Sequence, residues 1–352
     1  MKVLLTSPYY PPHIGGVEFH TMNLARGLAK RGYDIEVITS EGFDNYVKVT
    51  TTPTIPFPYS PIPLKFPQFS GDIYHSHVPS PFFAQWVNSK DCKPHVVTYH
   101  NDVFVPPKVD GKPIPRHLSR LIEKENLRTV KPVLDNARVI VATTESYAQK
   151  SPVLKDYLHK VEVIPNGVWN DDFRAGIDAG EREQIVLYAG RLVEYKGLHI
   201  LIRAMKNIDA RLVVLGDGED RKDFERVAKL FGVNAEFKGR VSSNEKKEWL
   251  RKARVLVLPS ISRLEAFGIV MLESMACKTP VIASRIPGVE EVARKGGLTF
   301  KDEEDLSSTI STLLENDALA SKLGRRGRWI VKKKYDWELI LDRTEKLYQR
   351  YA

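Results

Sequence analysis

Short apolar runs recur along the chain and alternate with segments of helical periodicity. The runs at 3–6, 35–39, 73–75, 96–99, 139–143 and 161–164 are followed by a second series at 185–189, 212–215, 235–238, 255–258, 281–283 and 298–300. Most are continuously apolar rather than alternating, the pattern of parallel strands covered on both faces. Between them, apolar positions three and four residues apart predict helices over 18–31, 199–206, 221–230 and 244–252. This alternation predicts an α/β fold with one or two doubly wound sheets. No short-period repeat is present.

The stretch 166–183 separates the two series. Asn166-Gly167 is a turn signal, and Asp171, Asp172, Gly176 and Gly180 follow with little apolar content. The 352 residues exceed one ordinary core, so two domains are expected. Residues 51–69 carry Pro53, Pro56, Pro58, Pro61, Pro63 and Pro67, which exclude a regular helix or central strand and predict an extended connection. No apolar run reaches the length of about 18 residues that a membrane helix needs. The N-terminus runs straight into a strand closed by Pro8, Pro11 and Pro12, so no signal peptide is expected; with only two cysteines, a reducing cytoplasm is the expected location.

Cys92 and Cys277 stand far apart, giving neither a disulfide framework nor a metal-finger spacing. The net charge of +9 suits an anionic partner or reflects a generally basic proteome. Nucleic-acid binding is not expected, because no basic patch is interleaved with aromatics. Eight of the nine histidines precede residue 170. His75-Ser76-His77 resembles a metal pair, but no third ligand at suitable spacing accompanies it, so no metal site is expected.

Candidate chemistry clusters after the apolar runs. Gly15-Gly16 follows the first strand and precedes a helix, where exposed amides approach a ligand closely; it is not a Gly-x-Gly-x-x-Gly fingerprint. Gly216-Asp217-Gly218 is a second such turn. Arg191 and Lys196 flank a strand-to-helix loop, a forked guanidinium and a compact ammonium suited to a diphosphate. His100 closes another strand beside Asn101 and Asp102. Glu265 and Glu273 are eight residues apart around Phe267, Gly268 and Ile269. On a helix that spacing is a little over two turns, which would put the carboxylates roughly on one face; the glycine sits where a loop turns into the helix, so Glu265 is expected at or just before the helix start and Glu273 inside it. Each motif alone also reads as a plain turn, a solvated pair or a buried histidine.

Taken in order, these motifs resemble the retaining, nucleotide-sugar-dependent glycosyltransferases of family 4 over nearly the whole chain. The resemblance rests on Gly15-Gly16, Thr98-Tyr99-His100, Pro165-Asn166-Gly167-Val168, Gly190-Arg191 with Lys196-Gly197, Gly216-Asp217-Gly218, Phe237–Val241 and the Glu265/Glu273 pair. It implies the GT-B architecture of two Rossmann-like doubly wound domains facing a central cleft. Residues 1–168 would form an acceptor-side domain and 169–335 the donor domain, with 336–352 a helix crossing back. It implies that Arg191 and Lys196 bind the donor diphosphate, Glu273 the ribose hydroxyls and Glu265 the donor sugar. The backbone of Phe267, Gly268 and Ile269 would hold sugar and phosphate, and Arg240 and Val241 would lie at the base. Gly16 would approach the diphosphate and His100 the reacting sugar. Arg263-Leu264 departs from the small or acidic residues common in the family, which leaves the donor sugar open.

The expected reaction is therefore transfer of a hexosyl unit from a UDP- or GDP-sugar to a glycan, lipid-linked or small-molecule acceptor, with retention. No cofactor and no metal are expected: Arg191, Lys196 and helix-start amides would stabilise the leaving diphosphate, and no Asp-x-Asp motif occurs. Front-face attack and double displacement both remain open. Residues 114–131 place Arg116, Arg120, Lys124 and Arg128 at four-residue spacing among Leu118, Leu121, Ile122 and Leu127. That stripe suits an anionic lipid surface at the inner face of a membrane, a phosphorylated lipid acceptor, or simple solvation. A non-catalytic nucleotide-sugar binding module and a sugar-nucleotide epimerase of the same fold are the competing readings.

Overall fold

The computed structural model describes residues 1–13, 15–56, 60–109 and 112–352. Ile14 of the first glycine loop and Pro58 of the proline-rich segment lie outside the described residues. The chain divides into two compact units. One comprises Met1–Pro107, Ile114–Asn166 and Trp337–Ala352; the other comprises Lys108–Pro113 and Gly167–Asp336.

The first unit is a parallel seven-stranded sheet. Its strands are β1 (Lys2–Thr6), β2 (Asp34–Thr39), β3 (Lys48–Thr51), β4 (Ile73–Val78), β5 (His95–Tyr99), β6 (Val139–Ala142) and β7 (Val161–Val163). They lie in the order β7-β6-β5-β4-β1-β2-β3. β1, β4, β5 and β6 are almost entirely buried, which explains their uninterrupted apolar character. β3 escaped the sequence reading because it is a half-exposed strand of Lys48, Val49, Thr50 and Thr51 at the sheet edge. The proline-rich connection carries a short antiparallel pair, Thr54–Ile55 with Ile62–Pro63. Helices α1 (Gly16–Lys30) and α2 (Arg116–Asn136) belong to this unit.

The helix Trp337–Tyr351 packs in the same unit, on α1 and the sheet. Leu341 fills the space that a side chain at Gly27 would need. The Tyr348 hydroxyl lies 2.6 Å from His75 Nδ1, and both side chains are buried. Arg31 gathers Glu338, Asp342 and Glu345 along one face of the helix.

The second unit repeats the plan with six parallel strands: β8 (Glu183–Ala189), β9 (Arg211–Leu215), β10 (Ala235–Gly239), β11 (Ala253–Leu258), β12 (Val281–Ser284) and β13 (Gly297–Phe300). Their order is β10-β9-β8-β11-β12-β13. Counting from the first strand this is 3-2-1-4-5-6, the doubly wound order whose direction reverses between β8 and β11. Helices α3 (Ser243–Lys252), α4 (Ile269–Ala276) and α5 (Asp317–Ile330) cover it. The segment before β8 is tied down by buried arginines. Arg182 donates to the carbonyls of Ile177, Ala253 and Cys277, each at 3.0 Å. Arg254, fully buried, donates to Leu313 O at 2.8 Å and Leu314 O at 3.0 Å, satisfying the carbonyl end of helix Glu303–Glu315.

The division between the units falls at Asn166/Gly167, two residues before the expected position. The Val168 amide donates to Tyr335 O at 2.9 Å, which fastens that strand-like segment to the second unit. Lys108–Pro113 departs further from the expectation, since Lys108 Nζ bonds Asp220 Oδ1 at 2.7 Å.

Truncating Leu341, which is fully buried, is expected to destabilise the first unit by about 2–5 kcal/mol. Leu121→Ala, at a 53% exposed position of α2, should stay within about 0.5 kcal/mol. Urea titration of both variants followed by circular dichroism checks the contrast.

Candidate active site

Four loops leave the carboxyl ends of β8, β9, β10 and β11, and backbone hydrogen bonds join them into one platform. Gly190 N donates to Leu215 O at 3.0 Å and Leu192 N to Asp217 O at 3.0 Å. Gly216 N donates to Gly239 O at 2.7 Å, and Ile261 N to Tyr195 O at 2.9 Å. The platform straddles the β8/β11 reversal, where doubly wound sheets open a crevice. Asp220 braces it by accepting from Glu194 N at 2.7 Å.

Lys196 and Glu265 meet on this platform as a direct ion pair, both side chains mostly buried. Ser260 Oγ adds a longer bond of 3.4 Å to the same carboxylate oxygen. Gly197 makes the approach feasible. It sits in the left-handed region at φ 70°, and a side chain there would strike the Pro259 carbonyl. Burial pulls the Lys196 ammonium toward neutrality, but the Glu265 carboxylate outweighs it, and the net pKa is raised. Arg191 is exposed, and its charge opposes that rise, so the two cations share one field. Among the described residues no carboxylate pairs with Arg191.

Glu273 is held differently from Glu265. It lies in the second turn of α4 and pairs with Lys246 Nζ at 2.7 Å. Lys246 stands in the first turn of α3, a helix started by the Ser242 hydroxyl accepting from Glu245 N at 3.1 Å. Glu273 lies inside the helix and Glu265 ahead of its start, as expected, so the two carboxylates do not share one helix face. Helix α4 begins at Ile269, and Glu265 precedes it by four residues in a turn. The cause is Gly268, whose left-handed φ of 77° breaks the helical path. A side chain at Gly268 would also sit 2.5 Å from Leu258 Cδ2. No side chain caps α4. The Phe267 ring is buried in the core against Tyr335, so at this position only the backbone is available to a ligand.

Gly216 closes the β9 loop. Arg240 is exposed beyond β10, and Val241 is half-buried against the core beneath it. Ser260 also lines a cavity of about 560 Å³ that has Arg203 and Arg285 in its wall. Those cations face Glu303 at 2.6 Å and Asp305 at 3.8 Å.

In the first unit, Gly15 precedes α1 and Gly16 starts it, exposed. His100, just past β5, is buried in a histidine cluster drawn from three places in the chain. His100 Nε2 lies 3.0 Å from His77 Nδ1, and the His20 and His100 rings meet edge to face at 5.0 Å. Burial holds His77 and His100 well below the ordinary histidine value and His20 at about 4, so all three are neutral near pH 7. One ring nitrogen from each of His20, His77 and His100 lies within 4.8 Å of the others, the set among the described residues that could hold a metal ion. His77 therefore does have further candidate ligands, from α1 and from the end of β5, which sequence spacing did not disclose. Among the described residues, His20 Nδ1 and His77 Nε2 meet no hydrogen-bond partner.

Sequence reading missed Lys246, Ser260 and His20. Lys246 stands among Asn244, Glu245, Lys247 and Glu248, where no pattern marks one cation.

Two parallel doubly wound units, the second with cations and carboxylates at its switch point, are the architecture of GT-B sugar transferases. Residues 14–171 match the Glycosyltransferase Family 4 model, and residues 170–329 match the Glycosyl transferases group 1 model. The chain belongs to this glycosyltransferase family. It is 29% identical to an uncharacterised glycosyltransferase of Methanocaldococcus jannaschii, over 100% of this chain and 99% of that protein. It is 26% identical to a phosphatidyl-myo-inositol mannosyltransferase of Mycobacterium leprae, over 100% of this chain and 97% of that one. A crystal structure of Anabaena HepE with UDP and glucose superposes with a TM-score of 0.75 at 17% identity, covering 99% of each chain.

Glu265→Gln is expected to lower the Lys196 pKa, because the main charge that opposes burial is then gone. The sign for the native pair follows from the raised value. Its stabilisation holds below the ordinary lysine pKa of about 10.4 and is lost as pH climbs through the folded value. Side-chain NMR titration of Lys196 in both proteins measures the shift; an unchanged pKa would exclude Glu265 as its cause.

Proposed function

We propose that this glycosyltransferase moves a hexosyl unit from a nucleoside-diphosphate sugar, UDP- or GDP-linked, to a glycan, lipid-linked or small-molecule acceptor with retention and without a metal. The observation that carries the reading is the Lys196–Glu265 pair on the β8/β11 platform, with the exposed Arg191 sharing its field. As the glycosidic bond breaks, the leaving diphosphate gains negative charge. Arg191, Lys196 and the uncapped start of α4 behind Gly268 offer fixed positive groups to that charge, in a partly water-excluded place where they act strongly. The backbone of Phe267, Gly268 and Ile269 holds sugar and phosphate.

The carboxylates then take separate parts. Glu273, kept in place by Lys246, accepts from ribose hydroxyls. Glu265, bonded to Lys196 and Ser260, accepts from the donor sugar's hydroxyls. Those contacts occupy Glu265 Oε2 and favour attack guided by the leaving phosphate over a covalent step through this carboxylate. Gly216, Arg240 and Val241 receive the base. In the first unit, Gly15 and Gly16 offer backbone to phosphate, and neutral His100 serves the reacting sugar as a hydrogen-bonding group.

The acceptor is assigned more coarsely. The M. leprae relative is named for a phosphatidyl-myo-inositol acceptor and HepE was crystallised with UDP and glucose; both bear on this chain by likeness. Helix α2 exposes Leu118, Leu121 and Leu127 among Arg116, Arg120, Lys124 and Arg128, a face suited to an anionic lipid-linked acceptor at a membrane.

A panel of UDP- and GDP-hexoses assayed for hydrolysis and transfer tests the proposal. Lys196→Ala and Glu273→Ala should each lower turnover on the order of a hundredfold. Undiminished turnover in the double variant would remove the site assignment. Donor binding without turnover across the panel would favour a binding module, and an inverted anomer in the product would reject retention.

A further inference from the structure

Helix α5 buries one face completely and leaves the other exposed. Ala320, Leu323, Gly324, Gly327 and Ile330 are buried. A side chain at Gly324 would collide with the Lys278 carbonyl, and one at Gly327 would press into the Met275 side chain. The helix is therefore seated rigidly, with its outward face fixed in direction. That face carries Lys322, Arg325, Arg326, Trp329, Lys332 and Lys333, all exposed. The intervals of three and four residues place them on a single stripe. The helix passes into a π-turn, Val331–Tyr335, which buries Val331 and Tyr335 while leaving Lys332, Lys333 and Lys334 outside.

Trp329 stands in the middle of these cations and is 59% exposed. A tryptophan on a rigid, water-facing helix gains nothing from the core of its own unit. Ile177, 52% exposed, adjoins the stripe through Asp178, whose carboxylate is 3.8 Å from Arg325. Asp178 is also the one carboxylate that meets the stripe among the described residues; Asp317, at the start of α5, is engaged by buried Arg254.

We propose that the exposed face of α5 and the following π-turn dock on an anionic lipid surface, with Trp329 as the interfacial anchor. Tryptophan settles at the boundary between headgroups and acyl chains, and a ring of lysines and arginines meets lipid phosphates while its methylene stems cover apolar surface. A nucleic acid fits less well, since it requires further aromatic rings for stacking and Trp329 stands alone among cations. The surface lies in the second unit and involves none of the residues assigned to the donor or to α2.

Co-sedimentation of the full chain with phosphatidylglycerol–phosphatidylcholine vesicles, at low and physiological salt, tests this docking. Binding should require phosphatidylglycerol and weaken as salt rises. Trp329→Ser and the double variant Lys332→Glu/Lys333→Glu should each reduce it at least tenfold, with melting unchanged because every altered side chain is exposed. The tryptophan emission should shift to the blue on vesicle addition in the native chain and not in Trp329→Phe. Three results would overturn the proposal. One is absence of binding at low salt. Another is binding that survives the α5 changes, including binding that disappears only when Arg120 and Lys124 of α2 are reversed. The third is retention on a single-stranded oligonucleotide without retention on vesicles.

Discussion

The reversal of strand order between β8 and β11 is the constraint on which the candidate site depends. The chain leaves β8 toward β9 on one side and leaves β11 toward β12 on the other. Parallel pairing keeps all the carboxyl ends on one edge, so the 190–197 and 259–268 loops emerge beside each other and diverge above. Lys196 and Glu265 are 69 residues apart in the chain and meet because of that geometry. Gly197 and Gly268 then shape the two loops where a larger residue would be strained.

The site is electrostatically closed on itself. Each glutamate has its own lysine, and Arg191 remains at the rim. Such pairs hold the side chains in defined positions, but they also raise the entry requirement for a ligand. Taking Lys196 from Glu265 with a phosphate leaves a mostly buried carboxylate unsatisfied unless the same ligand supplies a hydroxyl. A molecule bearing both phosphate and sugar meets both demands, and a bare phosphate meets only one. The neutral histidine cluster of the first unit shows the complementary solution: burial there removes charge instead of pairing it.

How much of this was legible depended on whether the signal was local. Continuous apolar runs disclosed the buried strands because parallel sheets covered on both faces leave few polar positions. β3 stayed hidden because its lysine and threonines face a half-exposed edge. The glycine in the Glu265–Glu273 stretch marked where the loop turns into the helix, so Glu265 ahead of α4 and Glu273 inside it were legible; the left-handed turn of Gly268, which takes Glu265 off the helix face, was not. Lys246, His20 and the His77–His100 contact are products of sheet topology, which brings distant segments together without leaving a spacing to find. The function was read from the order of several weak motifs, each of which alone fits an ordinary turn.

The helix Trp337–Tyr351 has a consequence for how the molecule is made. The second unit is nearly contiguous in sequence and can close its core once Asp336 has been synthesised. The sheet of the first unit is synthesised before it, yet lacks Leu341 over Gly27 and the Tyr348 hydroxyl on His75 until the helix that follows Asp336 has been made. Domains commonly complete in the order of their synthesis. Here the sheet made before the second unit is finished after it, so its apolar α1 face waits uncovered while the second unit is synthesised.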